Sequence, residues 1–260
     1  MSNTRTAVVT GSTSGIGKGI AESLAASGMN IVLNGIEPAD KVEETRENIS
    51  RSHGVQVVYA PANLMQADEC AGLAAFAMEN FGRVDVLVNN AGIQFVSPIE
   101  EFPNEKWEAI LSLNLSAAFY TTKAIASVMK AQKWGRIINI ASAHGLVASP
   151  YKSAYVAAKH GLIGLTKTVA LELAEFGVTV NAICPGYVWT PLVEKQIPDT
   201  AQARGLTEKQ VINDVLLAAQ PNKKFASIEE IGALTSFLAS DNAASITGTS
   251  VSVDGGWTAH

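Results

Sequence analysis

Thr6-Ala7-Val8-Val9-Thr10-Gly11-Ser12-Thr13-Ser14-Gly15-Ile16-Gly17 joins a short apolar run to three spaced glycines and then to a helical pattern. A strand, a tight turn and a helix N-terminus follow one another without a linker. The glycines permit the turn and a close backbone approach. The first helical N–H groups have no intrahelical partner, and they carry positive partial charge suited to a pyrophosphate. An ordinary Gly/Ser turn is the alternative reading. The strand before it and the helix after it favour the dinucleotide site, although three residues separate the first two glycines.

The same rhythm continues outward from this stretch. Apolar runs at Thr6–Thr10, Asn30–Asn34, Gln56–Ala60, Val84–Asn89, Gly135–Ala141, Thr179–Cys184 and Ser250–Val253 predict strands. They are mostly β-branched and apolar on both faces, as in a parallel sheet covered on each side. Helical patterns lie between them at Ile16–Ser27, Pro38–His53, Ala67–Phe81, Asn104–Gln132, Ala154–Phe176 and Ile228–Ala239. The expected architecture is α/β, with a single-domain, doubly wound Rossmann-type parallel sheet of about seven strands and helices on both faces. Residues 1–260 read as one dinucleotide-binding and catalytic domain. The long connection at about 190–226, with Pro191, Pro198 and Pro221, reads as a helical substrate lid.

Bulk properties narrow the function. Of 260 residues, 47% are apolar and 17% charged, which suits a chain that buries much of its surface. A net charge of −5 argues against a general nucleic-acid partner. No apolar run approaches the ~20 residues that span a bilayer, and no signal-peptide pattern opens the chain, so a cytoplasmic protein is expected. Cys70 and Cys184 lack metal-ligand spacing and read as buried hydrophobes, so no metal is expected. The segments at Trp107–Ala131 and Ser153–Ala174 are small or apolar on more than one face, which points to self-association.

Tyr155-Val-Ala-Ala-Lys159 places a phenol and an ammonium on one face of a helix. A nearby cation favours the phenolate over a phenol whose ordinary pKa is about 10. Roughly 3–4 kcal/mol of differential stabilisation would bring that proton exchange close to neutral pH. Leu33-Asn34-Gly35 ends the second predicted strand, where an adenosine ribose should lie. Asn34 replaces the acid that would bind both ribose hydroxyls, and no base adjoins it or Ser14 to hold a 2′-phosphate. NAD is therefore expected in preference to NADP.

Thr10–Gly17, Asn89-Asn90-Ala91-Gly92, Asn114, Ser142, Tyr155, Lys159 and Pro185-Gly186 together resemble the short-chain dehydrogenase/reductase family, in order and at family spacing across essentially the whole chain. The resemblance implies that Tyr155 is the general acid/base and that Ser142 orients the carbonyl or alcohol oxygen. It further implies that Lys159 binds the nicotinamide ribose and depresses the tyrosine pKa, and that Asn114 holds a water in the proton relay. Taken alone, Ser142 could be a strand-end cap and Asn114 could satisfy a mid-helix irregularity. The cofactor contacts implied are Gly11, Thr13, Ser14, Gly15, Ile16, Gly17, Asn34, Gly35, Asn63 and Leu64. Further along they are Asn90, Ala91, Gly92, Tyr155, Lys159, Pro185, Gly186, Val188 and Thr190. A homotetramer is the assembly the family implies.

Gln94, His144, Lys152 and Gln196 fall where the family topology faces the substrate, beside Ser142 and Tyr155. A lysine, a histidine and two amides suit a small carboxylate through charge-assisted hydrogen bonds. Singly, each could be a solvated or loop residue. Tyr187, Leu192 and Trp257 are candidates for apolar walls. The stretches around Gln94, Ser142–Ser149, Lys152–Tyr155, Thr190–Gln196 and Val253–Trp257 are similar to those of bacterial members acting on short 3-hydroxy acids. Tyr187 departs from them, because tryptophan is expected there. The implied reaction is the reversible, NAD-dependent oxidation of (R)-3-hydroxybutyrate to acetoacetate, a ketone-body interconversion. The alternatives are a 3-oxoacyl-carrier-protein reductase or another small-alcohol dehydrogenase of the family, and, from another class, a non-catalytic dinucleotide-sensing module.

Overall fold

A computed structural model describes residues 4–259, without the side chains at 192, 196, 199, 200, 203 and 204. One sheet contains β1 (Thr6–Val9), β2 (Asn30–Gly35), β3 (Val57–Pro61), β4 (Val86–Asn89), β5 (Gly135–Ile140), β6 (Val178–Pro185) and β7 (Ser250–Val253). All are parallel, in the order β3-β2-β1-β4-β5-β6-β7. The helices are α1 (Gly15–Ala26), α2 (Ala39–His53), α3 (Ala67–Phe81), α4 (Asn104–Leu111), α5 (Ala117–Gln132), α6 (Ser153–Leu173), α7 (Pro191–Arg204), α8 (Glu208–Gln210) and α9 (Ile228–Leu238).

Successive strand residues feed opposite layers, which is why both faces of each strand are apolar. Ala7, Val9, Ile31, Leu33, Val86 and Val88 join Ile20 and Leu24 of α1 and Leu238 of α9 in one core. Val8, Val32 and Leu87 join Ile125 and Met129 of α5 and Leu173 of α6 in the other. Each such aliphatic side chain removed from water contributes about 1.5–3 kcal/mol. The strand order reverses between β1 and β4, so consecutive crossovers diverge there. They leave a crevice at the carboxyl ends of the strands, the usual ligand position in open α/β sheets.

Asn104–Gln132 is not one straight helix. A π-helical stretch at Ser112–Ser116 separates α4 from α5. Asn114 lies in this wide turn, buried, and its amide pairs with the backbone of the loop that follows β4. That tertiary bonding accompanies the one-residue irregularity, a feature often found at functional sites.

Residues 190–226 form a helical appendage with its own small core. Ile197, Ala201 and Val211 are buried against Leu206, Ile212 and Leu216. Thr190 caps α7 by accepting the Val193 N–H at 3.3 Å, and Pro191 sits where its missing N–H costs nothing. The chain rejoins the sheet end at Ala226, which bridges Val188.

Candidate active site

The crevice is built first from backbone. Thr10 Oγ1 accepts the N–H groups of Asn90 and Ala91 at 2.9 and 3.1 Å, and the Asn90 amide donates to the carbonyls of Thr10 and Gly11 at 3.0 Å. The turn after β1 is thereby fixed to the turn after β4. Gly11 has φ +58°, and a Cβ on Gly17 would run into the Gly11 carbonyl and the Asn90 amide. Ser14 makes no side-chain cap on α1, so the first N–H groups of the helix face the groove. A cradle that side chains would fill, with uncapped donors at its floor, fits a dinucleotide pyrophosphate.

The cofactor residues expected from sequence divide between two adjoining clefts. Gly11, Thr13, Ser14, Gly15, Ile16, Gly17, Asn34, Gly35, Asn63, Leu64, Asn90, Ala91, Gly92 and Thr190 line the outer one. Asn34 needs a correction. Its carboxamide oxygen accepts the Gly11 N–H at 3.2 Å, and its nitrogen donates to Ala60 and Ala62 at 3.1 and 3.3 Å. This buried amide is spent on clipping β1, β2 and β3 together, so a ribose finds no free group there.

The outer cleft nevertheless carries an acid that the strand-end reading overlooked. Glu37 lines it, accepting the Thr13 hydroxyl and the Ile36 N–H, each at 3.0 Å. It stands three residues past Asn34, on the short link into α2. The signal was available: the first carboxylate after β2, just before Pro38, is the one the turn folds back toward the glycines.

The inner cleft, about 580 Å³, is lined by Gln94, Ser142, His144, Lys152, Tyr155, Lys159, Pro185, Gly186, Tyr187, Val188 and Trp257 among others. Ser142 caps the short turn after β5, its oxygen accepting the His144 N–H at 3.1 Å. The cap and the site residue are thus one side chain. Lys159 is buried, and its ammonium donates to the Ile140 carbonyl at 2.7 Å and lies 5.6 Å from the Tyr155 ring centre. Burial lowers the Lys159 pKa to about 8.

Tyr155 departs from expectation. Burial raises its pKa above the ordinary value, and the hydrogen bond from Ser142 offsets only part of this. Lys159 spends its charge on a strand carbonyl rather than on the phenol oxygen. Helical spacing brought the two side chains together without fixing where the ammonium points.

The acid end of the cleft has polar tips and aromatic walls. His144 is buried with Nε2 unpartnered. Its pKa is pushed down to about 4, chiefly by burial and then by the charge of Lys152, so the ring is neutral. Lys152 is half-buried and its pKa is lowered by the same desolvation; its ammonium lies 5.7 Å from the Tyr187 ring centre. Tyr187 stacks on Trp257 with planes 3° apart, and Trp257 meets His144 edge-on at 4.9 Å. Gln94 is exposed on the rim. The side chains of Leu192 and Gln196 lie outside the described ones.

Asn114 bonds the loop carrying Gln94 through both ends of its amide, to Ile93 N–H at 2.8 Å and Ile93 carbonyl at 2.9 Å. Behind it a void of about 10 Å³ is bounded by Asn114 and Lys159. That is close to the space one water molecule needs. Among the described residues, no group of three or more His, Cys, Asp or Glu could hold a metal, and no helix is long and apolar enough to cross a membrane.

Residues 5–201 match the short chain dehydrogenase family. The chain is 59% identical over 256 residues to the D-beta-hydroxybutyrate dehydrogenase of Rhizobium meliloti (strain 1021), covering 98% of this chain and 99% of that one. It is 51% identical over 259 residues to the D-beta-hydroxybutyrate dehydrogenase of Cupriavidus necator, covering 100% of both. Among solved structures, levodione reductase superposes with a TM-score of 0.89 at 31% identity, with 98% of each chain covered.

Proposed function

Because the chain belongs to the short-chain dehydrogenase family, we propose that it catalyses the reversible NAD-dependent oxidation of (R)-3-hydroxybutyrate to acetoacetate. One observation carries this reading. The unpartnered, buried Nε2 of His144 and the half-buried ammonium of Lys152 share a cleft with Tyr155 and Ser142. Such groups are costly to bury without a ligand, and together they suit a carboxylate.

The nicotinamide, when bound, supplies the hydride acceptor, and the chain has only to bind, orient and move a proton. Tyr155 takes the substrate hydroxyl proton in oxidation and returns it in reduction. Ser142 donates to the same oxygen as negative charge develops on it. Lys159 binds the nicotinamide ribose, and a water between Lys159 and Asn114 continues the proton path; the small void there supports this. Gln94, His144, Lys152 and Gln196 hold the carboxylate, which fixes carbon 3 in register. Tyr187, Leu192 and Trp257 wall the methyl group. Glu37 takes the adenosine ribose hydroxyls and opposes a 2′-phosphate, which favours NAD over NADP.

Residues 1–260 act as one catalytic domain, with the segment at about 190–226 as its lid. Exposed Phe119 on α5 and Leu171 on α6 support assembly into a homotetramer. The two free cysteines are buried, with their thiols pushed up to about 11, as suits a cytoplasmic protein.

The test is NADH absorbance with NAD and each enantiomer of 3-hydroxybutyrate, beside reduction of an acetoacetyl thioester with NADH and NADPH. Turnover of the (R)-acid with NAD is expected. Activity confined to the thioester with NADPH would move the chain to the carrier-protein reductases, and no hydride transfer at all would make it a binding module.

A further inference from the structure

We propose that Gln220 is a positioning residue for acid recognition, setting the Tyr187–Trp257 shelf against which Lys152 and His144 are held. Gln220 is fully buried in the turn that brings the helical appendage back to the sheet. Its amide is used at both ends. The oxygen accepts the Tyr187 N–H in a short hydrogen bond, and the nitrogen donates to the Lys224 carbonyl at 2.7 Å. The Tyr187 carbonyl accepts the Ala226 N–H at 2.9 Å, so both backbone groups of this wall residue are committed to one return limb. The approach is close enough to require glycine beside it, since a Cβ on Gly186 would stand 2.5 Å from the Gln220 oxygen.

The same turn also reaches the other half of the shelf. Asn222 N–H donates to the Gly255 carbonyl at 3.2 Å, two residues before Trp257. Asp254 completes that turn by accepting the Gly256 N–H at 3.0 Å and the Thr258 N–H at 2.9 Å. Residues 220–222 therefore touch the backbones on both sides of the stacked pair. Lys152 lies over one ring of that pair, and His144 abuts the other edge-on. A shift of the turn moves the cation and the imidazole relative to each other while leaving the glycine-rich cradle alone.

This inference rests on the acid-binding reading above. Gln220→Leu keeps approximate volume and removes both hydrogen bonds. The KM for (R)-3-hydroxybutyrate should rise about tenfold, with kcat and the Kd for NAD within about threefold of wild type, because only ground-state placement is lost. Gln220→Glu should recover most of the loss at pH 6, where a buried carboxyl stays protonated and both accepts and donates, and should lose it again by pH 8. If the leucine variant does not fold, the glutamate variant read at the two pH values carries the same comparison. A crystal structure of either variant at pH 8 should show the Tyr187–Trp257 pair displaced. Rings still stacked there, or equal losses in KM, kcat and NAD affinity, overturn the role given to Gln220. Wild type that fails to oxidise the acid sinks the proposed function instead, and the crystallographic outcome still decides for Gln220.

Discussion

Glu37→Gln should convert a strong preference for NAD into a weak one. The carboxylate is pre-set by the Thr13 hydroxyl and the Ile36 N–H at the outer end of the dinucleotide cleft. A hydrogen bond to a charged acceptor contributes about 1.5–3 kcal/mol net, and Glu37 is exposed, which argues for the low end or less. Loss of the charge with the shape retained should therefore lower kcat/KM for NAD by about fivefold to tenfold. Two unit charges meeting across a wet groove repel by roughly 1 kcal/mol, and a phosphate carries nearly two. Relief of that repulsion should raise kcat/KM for NADP by about tenfold, so the ratio moves by about a hundredfold. Initial rates with both cofactors, at low and high salt, measure this. Raised salt should narrow the wild-type preference and leave the variant nearly unchanged. A variant whose cofactor ratio stays within about twofold of wild type at both salts would show that Glu37 does not read the ribose.

Tyr155→Phe should lower turnover by about a thousandfold or more, with NAD affinity within about twofold by fluorescence titration. In wild type, burial holds the Tyr155 phenol above its ordinary value, so the oxidation rate should climb with pH through the alkaline range while reduction is sustained on the acid side; an oxidation rate independent of pH from 7 to 10 contradicts this proton route. His144 is depressed to about 4 in the folded chain against about 6.5 unfolded, so between those values the unfolded state binds more protons. Its contribution, about 3 kcal/mol, is present above pH 6.5 and lost as pH falls toward 4. His144→Gln should flatten the Tm profile across that window and raise KM for the acid; a variant whose Tm falls as steeply as wild type would place the ring outside the buried setting described.

The sheet was legible because its chemistry is local. Val8 and Val9 must both be apolar when each face of β1 is covered, and a short run of that kind reads as a buried strand with few alternatives. The same logic placed the crevice, since a glycine-rich turn between a strand and a helix has few other uses. Asn114 shows where local reading stopped. The pattern from Asn104 to Gln132 is helical throughout, and only the bonds of the Asn114 amide to Ile93, distant in sequence, reveal the π turn between α4 and α5. Asn34 and Glu37 exchanged roles for a related reason. The last residue of β2 looked like the ribose contact, yet its amide is consumed by Gly11, Ala60 and Ala62. Which polar group is left free depends on every neighbour, and no single stretch encodes that. Gln220 was invisible for the same reason, being defined by Tyr187 and Lys224 rather than by its own surroundings in the chain.

Tyr155 and Lys159 carry that argument into the chemistry. A helix face sets them four residues apart, and the simplest electrostatics would draw their proton affinities together. Burial instead moves the phenol up and the ammonium down, and the ammonium is anchored 2.7 Å from the Ile140 carbonyl. At neutral pH both therefore keep their protons. The protein is poised as a proton donor, the form that ketone reduction needs. Oxidation must first remove a proton from this buried pair, and the only polar route out of it passes Ser142 on the cleft side and the small void beside Asn114 on the other. The direction favoured at a given pH thus follows from how deeply one phenol is buried, with the lysine acting by position more than by charge.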